Sequence, residues 1–184
     1  MKRFIYIFIS ALPLILLLSC STMDFYRDYQ TRTTYDEFED NERNSLLWNY
    51  IGSDNASFGT EWVLNFGVVQ YKHKNSPGVK YILEIVYGGS KWINVLEENS
   101  LTLLVDSDKY YYSTKRVDRE TRVSQGRDLH QERAFYPVSR QEIYKIANAK
   151  SVRVKLSGDD FYVKGYFVEK NFPNLKRFLK EFDK

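Results

Sequence analysis

The sequence predicts a mainly β (α+β) fold: an antiparallel β-sandwich or half-open barrel with two short helices, the second C-terminal and amphipathic. Three observations lead there. Short apolar and aromatic runs recur along the second half of the chain, separated by clusters of Gly, Pro, Asn and Asp. Aromatic residues make up 16% of the chain, with fifteen tyrosines and twelve phenylalanines, residue types that suit pleated surfaces. Only two segments switch to helical spacing.

The elements follow in order. Residues 45–51 read as a helical turn or a first strand, and residues 52–59 as a loop. Residues 62–71 are rich in Val, Phe and Trp and read as a strand. Asn75-Ser76-Pro77-Gly78 has turn chemistry, and residues 79–87, nearly apolar on both faces, read as a central strand. Gly88-Gly89-Ser90 ends it, and residues 91–95 are expected to form a short strand. Residues 101–105 and 109–113 flank Asp106-Ser107-Asp108 as a hairpin. A second hairpin joins 115–124 to 129–137 through Gln125-Gly126-Arg127, and a third joins 152–156 to 161–168 around Gly158-Asp159-Asp160. Ser139-Arg140-Gln141-Glu142 is a capping box, opening a helix to about Ala149 with Ile143, Ile146 and Ala147 on one face. The last helix is expected to start with Asn171 as its N-cap and Pro173 in its first turn. Its stripe of Phe172, Leu175, Phe178, Leu179 and Phe182 should dock on a sheet.

The first twenty residues have a different character. Lys2 and Arg3 precede fifteen residues, Phe4 to Leu18, interrupted only by Ser10 and Pro13. Positive charge, a short apolar stretch and small residues at a cut are the anatomy of a secretory leader. At about 1.5 Å per residue the stretch is short for a bilayer core of about 30 Å. Its end, Leu17-Leu18-Ser19-Cys20, resembles the lipobox of bacterial lipoproteins. Leu17 and Ser19 match that pattern, whereas Leu18 stands where a small or β-branched residue is commoner. The resemblance implies lipid on the Cys20 thiol and cleavage between Ser19 and Cys20. Two other fates of the leader stay open: cleavage after Ser21, or an uncleaved anchor. Cys20 is the only cysteine, whereas exported proteins use cysteines in disulfide pairs. Ser21 occupies the place where some lipoproteins carry an inner-membrane retention aspartate, so the resemblance implies an outer-membrane or cell-surface location.

The expected organisation is a leader over 1–19, a lipidated N-terminus and tether over 20–44, and one β-rich domain over 45–184. Cleavage would leave 165 residues with 25 basic and 24 acidic side chains, so no general attraction to nucleic acid follows. Residues 24–43 hold seven acids against three arginines and lack apolar periodicity, hence the tether. The docking of Tyr26, Tyr29, Tyr35 and Phe38 on the domain or a partner is the competing reading of that stretch.

Motifs for chemistry are sparse. His73 and His130 are the only histidines, and neither has zinc-ligand spacing. Asp128, His130 and Glu132 alternate and share one side of a strand, but an exposed hairpin arm of mixed charge explains them better. Asp106-Ser107-Asp108 and Gly158-Asp159-Asp160 lack the ligand order of a calcium loop. There is no phosphate-binding glycine loop and no nucleophile elbow. The arm over 115–133 carries six basic and four acidic residues, too little net charge for a nucleic-acid stripe. It suits a solvated, edge-protecting hairpin. Of Tyr110, Tyr111 and Tyr112, Tyr111 points opposite to its neighbours and is a candidate contact residue.

These readings point to a non-catalytic binding domain, tied to the envelope membrane by its lipid and meeting an envelope protein or glycan, with no metal or cofactor. A small-ligand carrier with a pocket between the sheet and the last helix is the first alternative. An envelope hydrolase is the second.

Overall fold

The structure is a computed structural model that describes residues 29–37, 40–53, 62–74, 78–124 and 127–183. The leader, with Ser19 and Cys20, lies outside the described residues. Ten strands are described: β1 (Gln30–Asp36), β2 (Asn41–Ser53), β3 (Trp62–His73), β4 (Val79–Gly89), β5 (Leu101–Val105), β6 (Asp108–Tyr112), β7 (Val117–Ser124), β8 (Arg127–Val138), β9 (Val152–Ser157) and β10 (Tyr162–Phe167). Two helices accompany them, α1 (Arg140–Asn148) and α2 (Asn171–Phe182).

The strands form one sheet in the order β6-β5-β9-β10-β2-β3-β4-β8-β7, with β1 added to β2. The observed pairings are antiparallel, and the sheet curls into a half-barrel. The half-open barrel is therefore the form the fold takes. On one edge of β2, β1 pairs as far as Leu47 and β10 takes over from Ile51. A register shift against β3 falls between Leu46 and Asn49. An extra residue bends a strand and sharpens its twist, and here the bend coincides with the change of partner.

Alternation sorts the side chains. Val68, Leu83 and Tyr136 face one another across β3, β4 and β8, as do Phe66, Ile85 and Ala134. In the other half, Leu101, Leu103 and Val105 meet Leu156, Val154 and Val152. Both halves feed one core, sealed by Ile143, Ile146 and Ala147 of α1 and by Leu175, Phe178 and Leu179 of α2. Phe66 stacks on Phe167 with ring centroids 4.3 Å apart, joining β3 to β10. Each such large apolar side chain contributes about 1.5–3 kcal/mol relative to exposure. Gly165 faces inward on β10, where an added Cβ would lie 2.4 Å from the Gly52 carbonyl oxygen and 2.6 Å from Ile51 Cγ2. Only a residue without a side chain lets β10 come this close to β2.

The capping box forms as expected. The Glu142 amide donates to Ser139 Oγ at 3.1 Å, and the Ser139 amide to Glu142 Oε2 at 2.8 Å. The Tyr112 hydroxyl donates to Glu142 Oε1 at 3.2 Å and ties β6 to α1. At α2 the expectation is corrected. Lys170 is the N-cap and Asn171 the first helical residue. Instead of capping, Asn171 Nδ2 donates to the Tyr50 carbonyl at 2.9 Å and pins the helix start to β2. The far end is held by the buried Gln70, whose Nε2 donates to the Phe182 carbonyl at 3.1 Å and to the Tyr81 hydroxyl at 3.0 Å.

The tether reading of residues 20–44 also needs correcting. Residues 30–36 and 41–44 are strand, so the ordered domain reaches back at least to Tyr29. Thr31, Thr33 and Tyr35 supply β-formers, and an outer strand exposed along nearly its whole length tolerates the polar and acidic residues that suggested solvation. Tyr29 docks on α2: its hydroxyl donates to Glu181 at 2.8 Å and Arg177 covers its ring at 4.1 Å. Tyr35 stays largely exposed, while Tyr26 and Phe38 lie outside the described residues. The strand expected over 91–95 is instead a loop with a single bridge, Val95 to Gly158.

Burial alone would raise the Glu142 pKa, but hydrogen bonds from Ser139 and Tyr112 outweigh it and the net shift is downward. The stability this carboxylate contributes is therefore present above its unfolded value of about 4.3 and is lost as pH falls through its folded value. Glu142→Gln keeps a box-competent side chain without the charge. Urea titrations from about pH 5 to about pH 3 should show a shallower loss of stability than in the parent, with a neutral-pH cost below about 1 kcal/mol.

A candidate binding face

In this curled sheet the inner face belongs to the core. The outer face of β6, β5, β9 and β10 remains open, and the register writes its composition. One cross-strand row reads Tyr111, Thr102, Lys155, Lys164. The next reads Lys109, Leu104, Arg153, Tyr166. Four cations stand in these two rows and no carboxylate does. With them lies a shallow groove of about 360 Å³, lined among others by Lys109, Tyr111, Arg153, Lys155 and Lys164.

Two features of this face run against stability. Lys155 and Lys164 are directly opposed, an arrangement that repels. Tyr111, Tyr162 and Tyr166 are 60%, 54% and 42% exposed, large aromatic areas left in water. The repulsion is partly offset by the Tyr162 ring, which holds Lys155 Nζ at 4.6 Å and Lys164 Nζ at 4.8 Å. Tyr166 lies flat across Gly52, where an added Cβ would come within 2.7 Å of the ring. The result is a flat platform of cations interleaved with tyrosine faces. Such a surface offers charge to an anion and ring faces to a planar or sugar-like partner.

The residues singled out from the sequence fare differently. Asp128, His130 and Glu132 do share one side of β8, opposite Val123, Thr121 and Arg119 of β7. His130 packs on the Trp92 ring at 4.5 Å, and its Nδ1 lies 3.3 Å from Thr121 Oγ1. Glu132 departs from the exposed-arm reading, for it is fully buried. Its Oε1 accepts the Ile93 and Asn94 amides at 2.7 Å each. Its Oε2 accepts the Val95 amide at 3.0 Å and Arg119 Nε at 3.3 Å. Three consecutive N–H groups converging on one carboxylate form a concave nest. A strand alternates its N–H groups, which is why residues 91–95 do not form one.

The carboxylate is thus engaged by the chain itself. Among the described residues no group of three His, Cys, Asp or Glu side chains is placed to hold a metal. The acidic turns are internal as well. Asp106 Oδ1 accepts the Lys150 and Ser151 amides at 2.9 Å, and Asp108 pairs with Lys145 at 2.6 Å. His73 is exposed at the end of β3. On the arm, Arg116 pairs with Asp118 and Arg122 with Glu120, both at 2.9 Å between near neighbours in sequence, so much of its charge is locally matched. Tyr112 is buried and Tyr111 exposed, as alternation requires.

The basic face went unread because its cations come from three separate strands. The available signal was the alternation Val152-Arg153-Val154-Lys155-Leu156 and Tyr162-Val163-Lys164, which puts every polar residue of each strand on one side. What local pattern does not state is that β9 lies between β5 and β10.

Glu132→Ala would leave three amides and a guanidinium facing an apolar hole. We expect a loss of about 2–5 kcal/mol in urea unfolding, with Glu132→Gln intermediate because one acceptor oxygen remains. No family model, curated protein or solved structure matches the chain.

Proposed function

We propose that this chain is a bacterial envelope lipoprotein, anchored by lipid on Cys20, whose β domain binds an anionic glycan through the outer face of β6, β5, β9 and β10. The observation that carries the binding role is the pair of cross-strand rows with four cations, no carboxylate and flanking exposed tyrosines. A glycan suits this face because sugar rings lie flat on tyrosine while their acidic groups meet lysine and arginine. The domain's interior favours a binder over a carrier: the sheet under α2 is filled by Leu175, Phe178 and Leu179, which are 0%, 0% and 3% exposed. The anchoring role rests on Lys2, Arg3, the apolar stretch, and the match of Leu17, Ser19 and Cys20 to a lipobox. Among the described residues no helix is long and apolar enough to cross a membrane. Two or three acyl chains on one cysteine would hold the domain without further help.

Two measurements check the two halves of this reading. Growth with a fatty-acid analogue should label the native chain and leave Cys20→Ala unlabelled, and label retained in the variant contradicts the anchor. For binding, the full chain in detergent should retain dextran sulfate in a salt-sensitive manner and ignore neutral dextran. Lys155→Ala/Lys164→Ala should weaken that binding by about tenfold or more, whereas Arg122→Ala on the arm should not. Equal loss in both variants would show nonspecific charge attraction and no defined face.

A further inference from the structure

A second site lies on the same outer surface, in the other half of the sheet. Here β1, β2, β3, β4 and β8 enclose a trough of about 230 Å³. Three guanidiniums, Arg32, Arg43 and Arg133, line it, against one carboxylate, Glu84. Ser45 and Gly67 belong to the same lining and keep part of it free of bulky side chains.

The charges are unequally matched. Glu84 is 5% exposed, and its Oε1 takes Arg133 Nε at 3.0 Å. That pair accounts for one guanidinium. Arg43 leans on the Tyr71 ring at 5.8 Å, and its Nε is buried with no hydrogen-bond partner. A buried N–H without an acceptor is rare and calls for one. Arg32 makes no ion pair among the described residues. The lining therefore carries two positive charges in excess, plus a buried donor with no partner among the described residues.

We infer that this trough binds a small dianionic oxyanion, a phosphate or a compact dicarboxylate, between Arg32 and Arg43, with Glu84 holding Arg133 in place beside it. Guanidiniums suit such a ligand because their N–H fork matches paired oxygens. The volume suits a ligand of a few heavy atoms, in contrast to the flat glycan face. Glu84 is buried, and burial raises its pKa against the pull of Arg133 and then Arg43, so the Glu84 side of the trough is shielded from water while Arg32 stands exposed at its rim.

The test is calorimetric titration of the full chain in detergent, at fixed ionic strength, with inorganic phosphate, succinate, acetate and glucose in turn. Saturable binding is expected for phosphate or succinate, weaker for acetate and absent for glucose. The source of the ligand is read from which dianion binds more tightly. Arg43→Ala should weaken binding by about tenfold or more and Arg32→Ala by several-fold. Glu84→Gln, which removes the competing charge, should strengthen it several-fold. Should Glu84→Gln fail to fold, the two arginine variants decide. Lys155→Ala/Lys164→Ala should bind the dianion as the parent does. No saturation by either dianion, or saturation that survives Arg43→Ala and Arg32→Ala, overturns the inference. So does loss in the lysine variant alone, which would assign the anion to the glycan face.

Discussion

The fold depends on how the chain crosses from one half of its sheet to the other. β4 lies among β2, β3 and β8, whereas β5 lies among β6 and β9. The passage between them, residues 90–100, has no ladder of its own, and its amides need partners. Glu132 supplies three of them from β8. The same stretch is stitched to the β9–β10 turn: Val95 bridges Gly158, the Asp159 amide donates to the Asn94 carbonyl at 3.2 Å, and the Ser157 amide to the Ser100 carbonyl at 2.8 Å. Tyr87 reaches the Lys91 carbonyl at 3.0 Å, and Ser100 meets the Tyr136 hydroxyl at 3.0 Å. One buried carboxylate and a few hydroxyls thus hold the two halves against a common core. A buried charge is costly unless fully satisfied, and here each oxygen has two donors.

Curling a single sheet has a consequence for function. Its inner face and the apolar stripes of both helices are taken up by packing, so the proposed binding surfaces lie on the outer face. That face is uneven. At one end lysines and tyrosines make a flat platform, and at the other residues of β1, β2, β3, β4 and β8 line a narrow trough. Most of the charged side chains on these surfaces point away from the core, although Phe66 borders the trough and Val154 the groove from beneath. A lipid-tethered domain of this shape would present its broad outer face to whatever surrounds it.

Much of the architecture was legible because local signals agree with one another. Val79 to Tyr87 is nearly apolar on both faces and lies between β3 and β8, as a central strand should. Asp106-Ser107-Asp108 turns a hairpin with Asp106 at φ 53°, and Ser139 with Glu142 forms the box their spacing announces. What escaped reading was non-local. Residues 30–36 look like a solvated tether until β2 offers them a partner. Asn171 has the chemistry of a cap, yet its amide serves the Tyr50 carbonyl 121 residues away in sequence. Glu132 sits in a charged arm, and only the return of residues 93–95 makes it a core residue. The basic platform required knowing that β9 separates β5 from β10, and the trough required knowing that Arg32 and Arg133 line the same hollow. Charge clusters assembled from distant strands leave no spacing to recognise.

The crossing between the two halves of the sheet rests on the Glu132 nest. Native-state hydrogen exchange of the Ile93, Asn94 and Val95 amides tests it most directly. If the carboxylate holds them, all three exchange only through opening events nearly as costly as global unfolding, at rates resembling those of Leu83 and Ile85 in β4. Exchange as rapid as that of the exposed turn at Ser107 would contradict it, and the crossing loop would then be a passenger of the sheet and not its clasp.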